Sequence, residues 1–273
     1  MSLVYGILRL VNFAHGDYLT FGAYAAVLAD VTLHLGMIVA TVFAMVATAL
    51  LSVVLEFVLW RPMRRRRAGL LTMFITAIGL ALVLRQSILL VAGAASQSYL
   101  VDQFSVYQIG PVRISASQLI AIALSVVAIL LTGLLLARTD IGRRMRAYSD
   151  NPQLAAVAGV NSERIVLYTW ILAGALAGLA GELEGLVQAS FDPNMGWSLL
   201  LPIFAAVVLG TIGSAYGALL GGLVLGIVME VSTWSSLDGG VPPSYKLVVA
   251  FVALILVLLF RPQGLLGRRL RVV

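Results

Sequence analysis

The placement of its basic residues is what most constrains this chain. All 18 Lys and Arg residues except Arg85, Arg113 and Lys246 fall at Arg9, in residues 61–67, in residues 138–164 and in residues 261–271. Long, almost uncharged apolar stretches separate these places. Basic loop residues of a bilayer protein collect on the cytoplasmic side. If all four places lie there, an even number of crossings must separate them, and the apolar stretches supply such pairs. The pattern predicts an all-α polytopic membrane protein of the cell inner membrane, with residues 61–67 and the carboxyl terminus cytoplasmic.

Composition agrees. A chain that is 61% hydrophobic and 11% charged, with mean hydropathy +1.03, lies outside the soluble globular range. A net charge of +6 would raise nucleic acid as a partner, but basic loops that obey the positive-inside bias explain it without one. The absence of cysteine excludes disulfides, thiolate catalysis and Cys-based metal sites.

A crossing needs about 20 apolar residues. The expected spans are residues 18–35, 36–60, 68–91, 118–137, 163–187, 199–213, 216–234 and 246–260, about eight transmembrane helices in a single permease domain over 1–273. Residues 94–116, 188–198 and 235–245 then lie outside, and Trp60, Trp197 and Trp234 fall at the interfaces as an aromatic belt. The partial alternation of residues 96–114 suggests a small extended lid.

Two apolar runs are abnormal. Residues 199–213 are short, carry Pro202 and end in Gly210-Thr211-Ile212-Gly213-Ser214. Residues 1–11 run into Asn12-Phe13-Ala14-His15-Gly16-Asp17 and span only about 16 Å at helical rise, so part of the first helix is expected to be missing. No small-residue cleavage site follows this run, and no cleavable signal peptide is expected. Short, interrupted segments point to discontinuous helices around a transport path; a loop dipping into the headgroups is the alternative. Elsewhere Gly174 and Gly178, Gly217 and Gly221, and Gly222 and Gly226 are spaced by four, which lets helix backbones approach.

Residues 138–163 contain a punctuated miniature helix. Asn151 suits the N-cap, Pro152 the first helical position, and Gly159 the place just past the end. Asn161 or Ser162 caps the next span. The interior, Leu154-Ala155-Ala156-Val157-Ala158, is apolar and too short to persist alone in water. It packs under its own bundle or docks into another protein.

Several motifs in order now resemble one family. Leu3 to Tyr18, with Asn12-Phe13-Ala14-His15-Gly16-Asp17 at its centre, resembles the N-terminal signature of the branched-chain amino acid ABC transporter permeases, the hydrophobic amino acid uptake type. Ile141-Gly142-Arg143, Met145-Arg146-Ala147, Asn151-Pro152 and Ala158-Gly159-Val160-Asn161 are similar to that family's loop. Ala205 to Ser214 and Phe260-Arg261-Pro262-Gln263-Gly264-Leu265 are similar to its later motifs. The resemblance implies the membrane subunit of an ATP-driven importer. It would pair with a second permease subunit, two cytoplasmic ATPases and an extracytoplasmic solute-binding protein, with ATP and magnesium bound by the ATPases and no cofactor in this chain. It also implies that Asn151, Pro152, Leu154, Ala155, Ala156 and Gly159 form the ATPase-coupling helix. The general importer pattern begins Glu-Ala-Ala, and here Leu154 stands in the Glu place. A phosphate-binding loop needs Gly-Lys-Ser/Thr, and the sole lysine, Lys246, follows Tyr245, so this chain is not the ATPase.

Ionisable residues within spans are candidate functional groups. At 1.5 Å per residue, Arg85, Glu182, Glu184 and Glu230 all lie roughly 24 to 30 Å from the cytoplasmic ends of their spans. They snorkel to the outer headgroups, or they form an outer vestibule in which a glutamate neutralises Arg85. Glu182 and Glu184 point to nearly opposite sides of one helix. Glu56 is expected to pair within residues 61–67. His15, beside Asn12 and Asp17, could be a proton relay or metal ligand but has no second ligand at helical spacing. The family resemblance implies that it marks a structural turn near the translocation path.

The resulting expectation is a permease importing small amphipathic solutes, foremost apolar amino acids, along a path lined by Asn12, Phe13, His15, Gly16, Gly210, Gly213, Ser214 and Tyr216. Urea or short amides are the alternative cargo, and a stand-alone secondary transporter the alternative mechanism. A membrane enzyme would need a catalytic constellation, and none is apparent.

Overall fold

The computed structural model describes residues 1–100, 106–109, 112–234, 242, 245–261 and 263–266. The side chains of residues 106–109, 112, 113 and 234 fall outside that description. So do most of the expected outer segment 235–245, the carboxyl-terminal arginines beyond Arg261, and the belt position of the Trp234 side chain.

Helices dominate because each expected span is a run of strong helix formers with no polar group left to satisfy in lipid except through its own backbone. In order they are α1 (Ser2–Leu8), α2 (His15–Val27), α3 (Met37–Leu55), α4 (Arg61–Arg65), α5 (Leu70–Ala92), α6 (Ala116–Arg138), α7 (Asp140–Asp150), α8 (Pro152–Val157), α9 (Ser162–Gln188), α10 (Met195–Gly210), α11 (Ala215–Trp234) and α12 (Lys246–Phe260). Single π-helical turns extend α2 over Leu28–Thr32 and join α3 to α4 over Glu56–Trp60. Among the described residues, five helical segments are long and apolar enough to cross a membrane: Met37–Arg65, Leu70–Ala92, Ala116–Arg138, Ser162–Gln188 and Ala215–Thr233. The chain is a multi-pass membrane protein. The expected lid contains a two-stranded antiparallel hairpin, β1 (Val106–Ile109) and β2 (Val112–Ser115), and a Ser115–Gln118 capping box starts α6 directly after it.

The chain forms two compact units. In the first, Asn12–Trp197, α9 is the central helix: 61% of its apolar window is buried, against 17–28% for the other four long spans. Its glycines explain the position. A Cβ at Gly174 would meet Ser52, Thr48 and Ala49 of α3, one at Gly178 would meet Ala44, and one at Gly181 would overlap Leu19 of α2. The expected Gly174/Gly178 face is therefore a true close-packing face. On the remaining side, Leu179 and Leu183 join Ala121 of α6.

The second unit contains Met1–Val11 and Ser198–Val273. Its core is Ala205 and Leu209 of α10, Leu225 of α11 and Ala250 of α12. Gly217 and Gly221 bring α11 against Gly210 and Ala206 of α10. Gly222 and Gly226 differ: among the described residues nothing lies within 4 Å of where their Cβ atoms would be. Their four-residue spacing marks no close contact with α10 or α12 within this unit.

Candidate functional site

The first abnormal segment builds a buried polar cluster at the start of α2. The Asn12 carboxamide oxygen accepts the Ala14 N–H at 3.1 Å, and the Asn12 carbonyl accepts the His15 N–H at 3.2 Å, which turns the chain into the helix. Asn12, His15 and Asp17 are all buried. Asp17 lies in the first turn, where the helix dipole favours an anion. Arg85 of α5 donates from Nε to Asp17 Oδ1 at 3.2 Å, and the Trp197 ring covers the guanidinium with its centroid 4.5 Å from Cζ. Thr20 Oγ1 accepts the Gly196 N–H at 2.9 Å, with Gly196 pressed against the Gly16 carbonyl. Phe13 meets Phe74 edge-on at 4.9 Å. Asn12, Phe13, His15 and Gly16 thus belong to one neighbourhood with Arg85.

In the vestibule alternative a glutamate neutralises Arg85, and this is corrected: the partner is Asp17. Depth counting placed the glutamates near Arg85 in height, but α2 supplies the carboxylate from its first turn. Glu182 is fully buried and accepts the Thr41 hydroxyl of α3 at 2.7 Å. Glu184, on the opposite face of α9, is half-buried and accepts the Gln188 amide at 2.6 Å. Glu230, in the second unit, receives Lys246 Nζ at 2.7 and 2.8 Å. Each glutamate has a partner of its own, and none of them is paired with Arg85.

A second enclosed cluster joins the other end of α3 to α9. Trp60 stacks on Trp170 with centroids 6.0 Å apart and planes 8° from parallel, and Tyr18 meets Trp170 edge-on at 6.4 Å. Trp60 is 1% exposed. Its assignment to a lipid-facing aromatic belt is therefore corrected: the π-helical turn at Glu56–Trp60 aims the ring into the bundle. Trp197, nearly half-exposed, keeps an interfacial character. Glu56 pairs with Arg64 through both oxygens, as expected, and Arg61 and Arg65 share Glu163 at the start of α9.

The second abnormal segment lies in the other unit. α10 ends at Gly210, and residues 211–214 lead into α11. Gly213 (φ 86°) and Thr211 (φ 97°) both take left-handed conformations. Ser214 Oγ caps α11 by accepting the Gly217 N–H at 3.0 Å, and its carbonyl accepts the Ser2 hydroxyl of α1 at 3.0 Å. The Gln263 carbonyl accepts the Thr211 hydroxyl, and Leu209 accepts the Leu265 N–H at 2.9 Å. Gly210, Gly213 and Ser214 therefore form a braced turn, with Tyr216 40% exposed beside it.

The miniature helix forms with its expected punctuation. Asn151 Oδ1 accepts the N–H groups of Gln153 and Leu154 at 3.0 Å each, Pro152 opens α8, and Gly159 closes it at φ 84°. Asn161, and not Ser162, caps α9. Of its apolar residues Ala155 is buried, while Leu154 is 67% and Val157 88% exposed. The helix packs one side on its own chain and leaves an apolar side open, with Ala156 exposed on it.

Residue-by-residue reading placed Asp17 in the broken segment without a partner, and overlooked the Trp60–Trp170–Tyr18 cluster and the polar face of α3. The last had a signal. Thr41, Ala44, Thr48 and Ser52 repeat at helical spacing, and all but Thr41 are buried against α9.

Long apolar helices, two interrupted segments and polar groups buried at the breaks define a membrane transport protein. The chain belongs to the branched-chain amino acid transport system permease component family, whose model matches residues 1–258. It is 32% identical over 280 residues to the high-affinity branched-chain amino acid transport system permease protein BraD of Pseudomonas aeruginosa, covering 98% of this chain and 89% of that one. Against LivH, the protein of the same description in Escherichia coli, identity is 31% over 281 residues, with the same coverage of both. The ribose import permease protein RbsC of Bacillus subtilis is 34% identical over 145 residues, 51% of this chain and 44% of that one. No solved structure matches.

Proposed function

We propose that this permease is the membrane subunit of an importer for branched-chain or other apolar amino acids, driven by partner ATPases through alternating access. A second permease subunit, two cytoplasmic ATPases and an extracytoplasmic solute-binding protein complete it. ATP and magnesium are bound by the ATPases. Residues 61–67, the 138–163 segment and the carboxyl terminus face the cytoplasm, and residues 94–116 face outward. Each interrupted segment, around Asn12 to Asp17 in one unit and Gly210 to Tyr216 in the other, is a candidate lining of a solute path.

The observation that carries this reading is α8. A capped two-turn helix with Leu154 and Val157 open to solvent is marginal alone and is stabilised by a partner that covers them. An ATPase groove is such a partner, and the full-length similarity to BraD and LivH supplies the cargo class. The test is leucine uptake into proteoliposomes holding the whole transporter. Uptake should stop when ATP is withheld while the membrane potential is kept. Uptake that continues on the potential alone would identify a secondary transporter.

A further inference from the structure

The Asp17–Arg85 pair is only half used. The side edge of a guanidinium presents Nε and Nη2, which match the two oxygens of a carboxylate. Here Nε donates to Asp17 Oδ1 at 3.2 Å. Arg85 Nη2 and Asp17 Oδ2 are both buried and find no hydrogen-bond partner among the described residues. The two side chains are 12% and 1% exposed. One hydrogen-bonding atom of each charged group therefore stands open away from water, which is a costly state for either. The Thr20 hydroxyl donates elsewhere, to the Gly16 carbonyl at 3.5 Å, and Asn12 Nδ2 makes no hydrogen bond to either atom.

We propose that this half-open pair recognises the charged ends of a zwitterionic amino acid. The α-carboxylate accepts from Arg85 Nη2 and the α-ammonium donates to Asp17 Oδ2. An anion alone would satisfy the arginine and repel the aspartate, and a cation the reverse. A solute carrying both charges satisfies both atoms and adds no net charge to the membrane interior. Both atoms are closed from solvent here. The Trp197 ring over the guanidinium is 47% exposed and sits in the first turn of α10, so entry requires that ring to move aside. The proposal rests on the reading of the chain as an amino-acid permease and adds to it a residue-level site.

The test is binding of tritiated leucine to the complete transporter in lipid nanodiscs, without the solute-binding protein. On the wild type, 4-methylpentanoate (no ammonium), 3-methylbutylamine (no carboxylate) and urea should each compete at least tenfold more weakly than leucine. This arm needs no variant to fold. Asp17→Asn and Arg85→Gln should each weaken leucine binding at least tenfold. The reversed double variant, Asp17→Arg with Arg85→Asp, should assemble without regaining leucine binding, because the solute would have to turn end for end. Competition by a one-charge analogue or urea equal to that of leucine overturns the inference. So does binding restored by the reversed pair, which would mark a purely structural ion pair. If the wild type transports leucine and none of these effects appears, the inference falls and the amino-acid reading stands. If the wild type neither binds nor transports leucine, both fall.

Discussion

Gly22 of α2 and Gly178 of α9 meet backbone to backbone: a Cβ built on Gly22 would overlap the Gly178 Cα and lie 2.8 Å from its carbonyl oxygen. The same Gly178 faces Ala44 of α3, so one glycine sets the approach of three helices. Without a hydrophobic force between helices in lipid, such close contact supplies the association through dispersion.

Enlarging that residue should open the bundle. Gly178→Val is expected to destabilise by at least about 1–3 kcal/mol, the usual range for an overpacked core. Thermal unfolding of the detergent-solubilised protein, followed by size exclusion, measures it. Gly222→Val, where no described residue lies within 4 Å, should leave the melting temperature nearly unchanged. Equal losses at the two positions would contradict the packing account.

The Thr41 hydroxyl is the hydrogen-bond partner that Glu182 has in the structure, and Glu182 Oε2 is already unpartnered. Thr41→Val preserves shape and strands the carboxyl group. The expected loss is about 1–3 kcal/mol, above the average of about 0.6 kcal/mol for interhelical bonds in membranes, because a buried partner is orphaned. Adding Glu182→Gln to Thr41→Val should recover part of it. Thermal stability of both variants decides this, and an unchanged melting temperature in Thr41→Val would refute it.

Coupling is expected to fail without loss of the fold when α8 is altered on its open side. Ala156→Arg should abolish ATPase co-purification and solute uptake while membrane insertion continues. Gly159→Val should act alike: nothing lies near its Cβ, but φ 84° is a conformation that β-branched residues resist. Pull-down of the ATPases alongside uptake reads both. Normal pull-down and transport by Ala156→Arg would leave α8 as a helix packed under its own bundle.

Orientation can be read with single cysteines, because the chain has none. With an impermeant thiol reagent on intact cells, Ser98→Cys should label and Ser149→Cys should label only after lysis. The opposite pattern would invert the topology.

The correspondence between sequence and structure is uneven for physical reasons. Seven of the eight expected spans coincide with apolar helices, five of them long enough to cross, because hydrocarbon length and backbone satisfaction are local demands. The eighth, residues 18–35, is the buried α2 with its π-helical turn. The caps of α8 were legible for the same reason: Asn151, Pro152 and Gly159 act within a few residues of themselves. Glu56 with Arg64 lies within two turns and was also readable.

What only the tertiary structure decided is which groups meet across long separations. Depth counting orders residues along the membrane normal but carries no information about rotation around each helix. Counting from the span starts sets Asp17 at the cytoplasmic end and Arg85 far from it, so it passes over the pair that forms. Nor could it show that Trp60 turns inward onto Trp170. It could not show that Gly174 and Gly178 bury while Gly222 and Gly226, with the same spacing, stay open. Sequence alone determined that this chain spans the membrane in many short-looped helices, because transfer from water is summed along the chain. The site depends on helix azimuth, which is set by packing among α2, α3, α5 and α9, so it emerged only in the folded bundle.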